Sequence, residues 1–438
     1  LLHVLNAPGV QVLDVEADRW RWNDDQHQWE RLALRVRRLI ALVETDGQGV
    51  LAIDLTRVSG GQQHWRLCRG CGPQWDSSIS QTRQAGTLAG IHIERGQSAA
   101  VSHPELRALA YMDDVYALPD VDDTHWHGSW AFDASADVWL DIHALGTSPN
   151  TQACTARSTA IMGTPEESSY AFRTLAWKRD VVDGNTTYFD LAFEPRLGTS
   201  ALKSIRRIDG PGSAAGVDLC TRGGRRVRLY WSANEEGEVA FGDGTRLHGA
   251  LAVVCDGESP QESQVVGRGA ESLYIDGQLR MFESNATQVG QLCEVDAETC
   301  TVVVSGLQAP RPGGRMTTPA RGRTYLIERV RELGGNRWEL ELDLTPRLGC
   351  GRITDVDGHR VTLDAHVLTR TGYLHGAYLH CGGDRYAAIA HAYNPDTTST
   401  ELDLSTSTDG LRRERSVEVL DCAPGNTISL EWDTKSAD

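Results

Sequence analysis

The sequence has no apolar run approaching the roughly 20 residues that a membrane-crossing helix needs. Basic residues are outnumbered: 43 Lys and Arg stand against 60 Asp and Glu, a net charge of -17. That balance excludes nucleic acid as the expected partner, because phosphate binding needs a surplus of cations. Lysine is especially scarce, so the cations present are mostly arginines, suited to bidentate carboxylate or sulfate contacts. Several chemical signatures are missing too. There is no nucleophile elbow, no phosphate-cradling glycine loop ahead of a helix, and no His-Glu-x-x-His. Acidic residues are plentiful, yet their spacing names no acid/base pair for glycoside hydrolysis. The chain opens Leu1-Leu2-His3-Val4-Leu5, without an initiating Met or a basic-apolar signal segment. A processed protein or one piece of a longer chain is expected.

Helical periodicity is the last absence. The best helical stretch, Pro104 to Met112, is only two or three turns, whereas strand periodicity is everywhere. Leu32, Leu34 and Val36 alternate with Arg31, Ala33 and Arg35; Phe189, Leu191 and Phe193 alternate with Tyr188, Asp190 and Glu194. Trp338, Leu340, Leu342 and Leu344 alternate with Glu339, Glu341 and Asp343. Turn dipeptides Asp183-Gly184, Asp243-Gly244, Asp276-Gly277 and Asp357-Gly358 punctuate such runs. The pattern predicts an all-β chain: a large antiparallel β-sandwich followed by a smaller C-terminal β-sandwich. Loosened stretches at Gly210 to Gly216 and Ala309 to Gly314 suggest its divisions. These are a sandwich over residues 1–210, its continuation over 211–314, and a terminal sandwich over 315–438.

Arg37 to His64 is the densest segment. Two apolar strands flank Asp46-Gly47, which supplies the positive φ angles of a tight turn. The second strand carries Asp54 and Arg57 and ends in Gly60-Gly61-x-x-His64. A Gly pair frees the backbone at a strand end, where sites tend to be built. His64 and Trp65 are therefore substrate-contact candidates, an imidazole to hydrogen-bond a sugar and an indole to stack on it. The alternative is a half-buried turn histidine with Trp65 in the core. Arg57 either binds a ligand carboxylate or pairs with Asp54 or another neighbour. It belongs to a local arginine excess with Arg31, Arg35, Arg37, Arg38, Arg66 and Arg69, which an anionic substrate could use. Trp75 is a further candidate, from a tryptophan set equally suited to core or glycan platform.

His125-Trp126-His127 is the metal-like cluster, close to Asp120, Asp122 and Asp123. Alternate strand residues face one side, so two imidazoles could share a divalent ion, with His143 or an aspartate as third ligand. Such a pair is otherwise a surface or aromatic cluster. No other cofactor is indicated. His375, His380 and His391 read as structural. Cys68 and Cys71 suit a disulfide or buried thiols better than zinc, because no second matching pair follows. The sequons Asn185-Thr186-Thr187 and Asn285-Ala286-Thr287 favour a secreted or periplasmic setting.

Read together, Arg37 to Val43 and Ala52 to His64 resemble the β-sheet portion of heparinase II/III-like polysaccharide lyases. Trp130 to His143 is similar to that family's Trp-then-leucine-rich strand. Ala171 to Trp177 with Thr187 to Pro195 resembles the pair around its Phe…Glu-Pro ending, and Tyr373 to Tyr393 its closing sandwich. The similarity covers the first half well and the rest loosely. It implies a two-part enzyme, an N-terminal toroid of α-helical hairpins followed by stacked antiparallel sheets. It also implies β-elimination at a uronic acid: a Tyr or His base takes the proton beside the carboxylate, Arg, Asn or His offsets the carboxylate charge, and an acid protonates the leaving oxygen. The helical toroid and the His-rich strand supplying base and metal ligands have no counterpart in this sequence. The expectation is thus a cleft wall for an anionic, uronate-containing polysaccharide, with most catalytic groups in an N-terminal helical portion or companion chain. Alone, this chain is not expected to be catalytic. A non-catalytic carbohydrate-binding or self-assembling β protein, including a homo-oligomer, stays open.

Overall fold

Period-two alternation dictates the architecture. The computed structural model describes residues 3–23, 28–45, 49–70, 72, 74–102, 104–119, 125–159, 171–181, 185–232, 237–256, 263–282, 288–318, 323–367, 374–382, 386–395, 398–405, 408, 411–431 and 434–435. Asp46-Gly47, Cys71, Asp120, Asp122, Asp123, Asp183-Gly184, Asn285-Ala286-Thr287 and Tyr373 lie outside the described residues. Two compact units are present: Leu2–Arg19, Leu32–Glu283 and Thr434–Asp438 form one, and Ser284–Asp433 with Leu1 and Trp20–Arg31 the other.

Strands β1 to β6 are His3–Ala7, Val10–Asn23, Gln28–Thr45, Gly49–Ser59, Gln63–Arg69 and Trp75–Ser77. Strands β7 to β13 are Thr82–Arg83, Asp113–Ala117, Trp126–Asp133, Val138–Thr147, Gln152–Thr159, Ala171–Asp180 and Thr187–Leu197. Strands β14 to β20 are Leu202–Asp209, Ala215–Thr221, Arg226–Trp231, Glu238–Ala240, Arg246–Asp256, Gln264–Ile275 and Gln278–Met281. Strands β21 to β27 are Gln288–Asp296, Thr301–Ser305, Arg315–Thr318, Arg323–Gly334, Arg337–Leu342, Arg347–Asp357 and Arg360–Leu363. Strands β28 to β33 are Tyr378–His380, Tyr386–Tyr393, Thr400–Leu404, Ser416–Leu420, Thr427–Glu431 and Thr434–Lys435. Among the described residues the helical segments are two 3-10 turns, Ser98–Ala100 and Pro104–Tyr111. The chain is all-β, built of large antiparallel sheets, without a helical toroid among those residues.

In the first unit a central sheet runs β1-β2-β3-β4-β13-β10-β9-β6. A second runs β5-β12-β11-β8-β7 and a third β14-β15-β16-β18-β19-β20. The hairpin read from Arg37 to His64 is β3 against β4, in register from Arg35↔Ser59 to Thr45↔Gly49. One face of the central sheet sends Leu39, Ala41, Val43, Leu51, Ile53 and Leu55 against Val217, Leu219 and Leu229 of the third sheet. The opposite face sends Val58, Trp130, Ile142, Phe189 and Leu191 against Cys68, Leu175 and Trp177 of the second. Each such side chain stabilises by about 1.5–3 kcal/mol when fully buried.

The covers are staggered. The third sheet lies over the β1–β4 end on one face, and the second over the β13-β10-β9 end on the other. Among the described residues neither of these two covers extends over the opposite half of its face. One such half, at the β2–β4 end, carries Leu13, Leu42 and Val50, exposed at 38%, 42% and 44%. The other, at the β9–β10 end, is polar.

Gly210 to Gly216 carries the connection between paired β14 and β15, and Ala309 to Gly314 joins β22 to β23. Strands β21 to β32, expected as the end of the continuation over 211–314 and one sandwich over 315–438, close into two barrels. Their orders are β21-β22-β25-β24-β23-β32 and β26-β27-β30-β29-β28-β31. Closure leaves no unpaired strand edge. A register shift between Ile353 and Asp355 lets β26 pair with β31 over its first half and β27 over its second. No disulfide joins the described cysteines, Cys68 buried among them.

Candidate functional site

The expected site around Gly60-Gly61-x-x-His64 is a structural joint. Both glycines take positive φ, +83° and +77°. A Cβ on Gly60 would lie 1.6 Å from the Ala33 carbonyl oxygen, so only glycine fits. The turn brings His64 into the interior at 2% exposure. Its Nε2 meets the Gly60 carbonyl at 2.5 Å, which fixes the proton there. Nδ1 then accepts from the Thr187 hydroxyl at 2.6 Å. With both nitrogens occupied and the ring buried, His64 has no atom left for a sugar: the substrate-contact expectation gives way to a tie between β5 and β13. Burial, then repulsion from Arg179, holds its pKa below the ordinary imidazole value.

Trp65 is half-buried, its Nε1 donating to Gln63 at 2.6 Å and its ring facing Lys178. Trp75 packs on Trp130 with ring centroids 4.8 Å apart and belongs with the core between central and second sheets. Arg57 is 3% exposed and grips Asp190 through both terminal nitrogens, while its Nε donates to Ser213 O at 2.6 Å. Asp54 is not its partner, because residues 54 and 57 point to opposite faces of β4. Asp54 instead binds Arg38 and Arg66, and Arg37 binds Asp14 at 2.8 Å. Arg37, Arg38, Arg57 and Arg66 are thus paired internally, while Arg69 lies over the Phe172 ring.

The polar half-face collects a different set. His127 on β9 stands directly opposite His143 on β10, and Ser129 opposite Asp141. Asp141 in turn opposes Glu194 on β13. The His125 and His127 rings lie against His143 at centroid distances of 5.8 and 6.2 Å, each tilted 27°. Glu194, 2% exposed, is anchored by the Ala201 N–H at 2.6 Å and by the Ser200 hydroxyl, and faces His143 Nε2 at 3.4 Å. Burial alone would raise the Glu194 pKa, but the hydrogen bonds from His143, Ser200 and Ala201 outweigh it and hold the carboxyl below its usual range. A carboxylate at Nε2 leaves His143 Nδ1 as the lone-pair nitrogen, buried and without a partner among the described residues. His125 is held below its ordinary value by burial and then by repulsion from His143 and His127. Asp141 accepts from Ser129 and Arg196, both at 2.6 Å, and the Arg196 guanidinium lies 5.2 Å over Trp139.

His125 and His127 thus meet His143, but as stacked rings and not as converging lone pairs. Among the described residues no three His, Cys, Asp or Glu side chains are placed to hold a metal ion. The aspartates expected as alternative third ligands, Asp120, Asp122 and Asp123, lie outside the described residues. Sequence spacing identified the His-x-His pair, whereas Glu194, Asp141 and Arg196 come from cross-strand register. Elsewhere, His375 contacts the Ala390 carbonyl, His380 faces Glu418 and His391 stacks on Tyr393. No protein-family model and no curated protein matches the chain.

Proposed function

We propose that this chain is the β-sheet portion of a polysaccharide lyase-like protein, and that the polar half-face meets an anionic, uronate-containing polysaccharide. The observation that carries the reading is the stack of three imidazoles, with His125 and His127 exposed, on the sheet face that also carries Arg196 and Trp139. Imidazoles gain positive charge as pH falls, a guanidinium supplies a permanent cation, and an indole offers a sugar-stacking face. The exposed apolar half-face with Leu13, Leu42 and Val50 supports a second part of the reading. There a helical portion, in the same chain or a companion, docks and brings most of the eliminating groups. A secreted or periplasmic setting belongs to the same proposal.

Calorimetric titration with an oligouronate and with a neutral oligosaccharide of equal length tests it. Saturable uronate binding that His125→Ala/His127→Ala weakens by about tenfold is expected, with the neutral sugar bound at least that much more poorly. Equal affinity for both sugars, or binding indifferent to the double variant, would sink the assignment. Adding the helical portion is expected to yield unsaturated product, visible as an absorbance rise.

A further inference from the structure

The second unit holds a cleft of about 620 Å³ that the histidine half-face does not involve. That volume lies within the range of about 300–1,000 Å³ typical of small-molecule sites. Arg347, Cys350 and Arg352 of β26 line it with His380 of β28, Glu418 of β31 and Asp364 after β27. Cys350 stands opposite Glu418, and Glu418 opposite His380, so these three form one cross-strand row. Residues in such a row share a face of the sheet.

Glu418 sits between a guanidinium and an imidazole. Arg347 Nη2 binds one carboxylate oxygen, and His380 Nδ1 lies 3.3 Å from the other. The imidazole is braced from behind by Tyr386, stacked at 4.6 Å and 13°. Arg347 is fixed by its partner while its buried Nε–H has no acceptor. On the far wall the Arg352 N–H donates to Asp364 at 2.6 Å, leaving the Arg352 side chain exposed. With Glu298 also in the lining, the cleft presents the guanidiniums of Arg347 and Arg352 beside three carboxylates.

We infer that this cleft binds a sugar acid: its hydroxyls donate to Asp364 and Glu418, and its carboxylate takes the guanidinium of Arg352 with Arg347 behind it. Charged walls disfavour an apolar ligand, and carboxylates facing the site disfavour a bare polyanion such as phosphate. Interleaved cations and anions suit a molecule carrying one carboxylate and several hydroxyls. The source is either the free acid or a uronate unit of a glycan. The inference goes beyond the half-face reading and does not depend on it.

The full chain is titrated with glucuronate, galacturonate, glucose and an oligouronate. Arg352→Glu is the principal variant, because Arg352 is exposed; Arg347→Lys keeps the charge and loses the fork. Binding of the free acids over glucose by about tenfold or more, reduced at least as much by Arg352→Glu, is the expected result and assigns the free acid as source. Oligouronate binding alone, likewise removed by Arg352→Glu but intact in His125→Ala/His127→Ala, also upholds the cleft and assigns a glycan. If Arg352→Glu and Arg347→Lys bind as the parent does, or glucose binds as well as glucuronate, the inference is overturned. Oligouronate binding lost only in the double histidine variant would leave the half-face reading standing and this one refuted.

Discussion

Gly60 holds a backbone that no other residue could, at φ +83° with a neighbouring carbonyl where Cβ would be. Gly60→Ala is expected to destabilise the first unit by about 2 kcal/mol or more, read as a lowered midpoint in chemical denaturation. His64 completes that joint. His64→Ala takes the imidazole donor from the Gly60 carbonyl and the acceptor from the Thr187 O–H, and is expected to cost about 1–3 kcal/mol while oligouronate affinity stays unchanged. Its pH signature has a definite sign. The folded pKa lies below the unfolded value of about 6.5, so the unfolded chain takes up the proton first as pH falls. The stabilisation is full above that value and is lost as pH drops through the native pKa. Melting temperature against pH should flatten over that window in His64→Gln relative to the parent; an unchanged slope would remove His64 from the account.

Strand β13 shows at the scale of an element how alternation divides labour. Phe189 and Leu191 enter one core, Asp190 and Ala192 face the third sheet, and Glu194 reaches the polar half-face. Asp190 is fully buried between Arg57 and Arg207. Asp190→Ala would remove the buried carboxylate that Arg57 and Arg207 share, and a loss of about 3–5 kcal/mol is expected in equilibrium unfolding. This strand also shows what could be read without coordinates. Its apolar period, the Gly60-Gly61 turn and the His125-x-His127 pair were all legible, because each is a local property of consecutive residues. The pairing of His127 with His143, the Arg57–Asp190 bond and the anchoring of Glu194 by Ser200 were not. They depend on which strands become neighbours and in which register, and alternation alone does not specify either. Barrel closure was hidden for the same reason, since the bend in β26 arises from a shift between two partners.

Across the whole molecule, each unit owns separate cores, with Leu39, Ile53 and Leu229 in one and Ile353, Val361 and Leu402 in the other. Scanning calorimetry is expected to resolve two transitions. Asp190→Ala should shift one; Asp421→Ala, which removes the buried acceptor of Thr318 and Tyr325 in the second unit, should shift the other. Movement of both by either variant would mean a single cooperative block. The staggered covers over the central sheet have one more consequence, and it concerns isotope exchange. β13 is paired on one side with β4 and on the other with β10, and it lies where both covers overlap. No local fraying frees its amides: both ladders and both cores must open together. Deuterium should therefore enter Phe189 to Phe193 last, long after the half-faces on either flank have equilibrated with solvent.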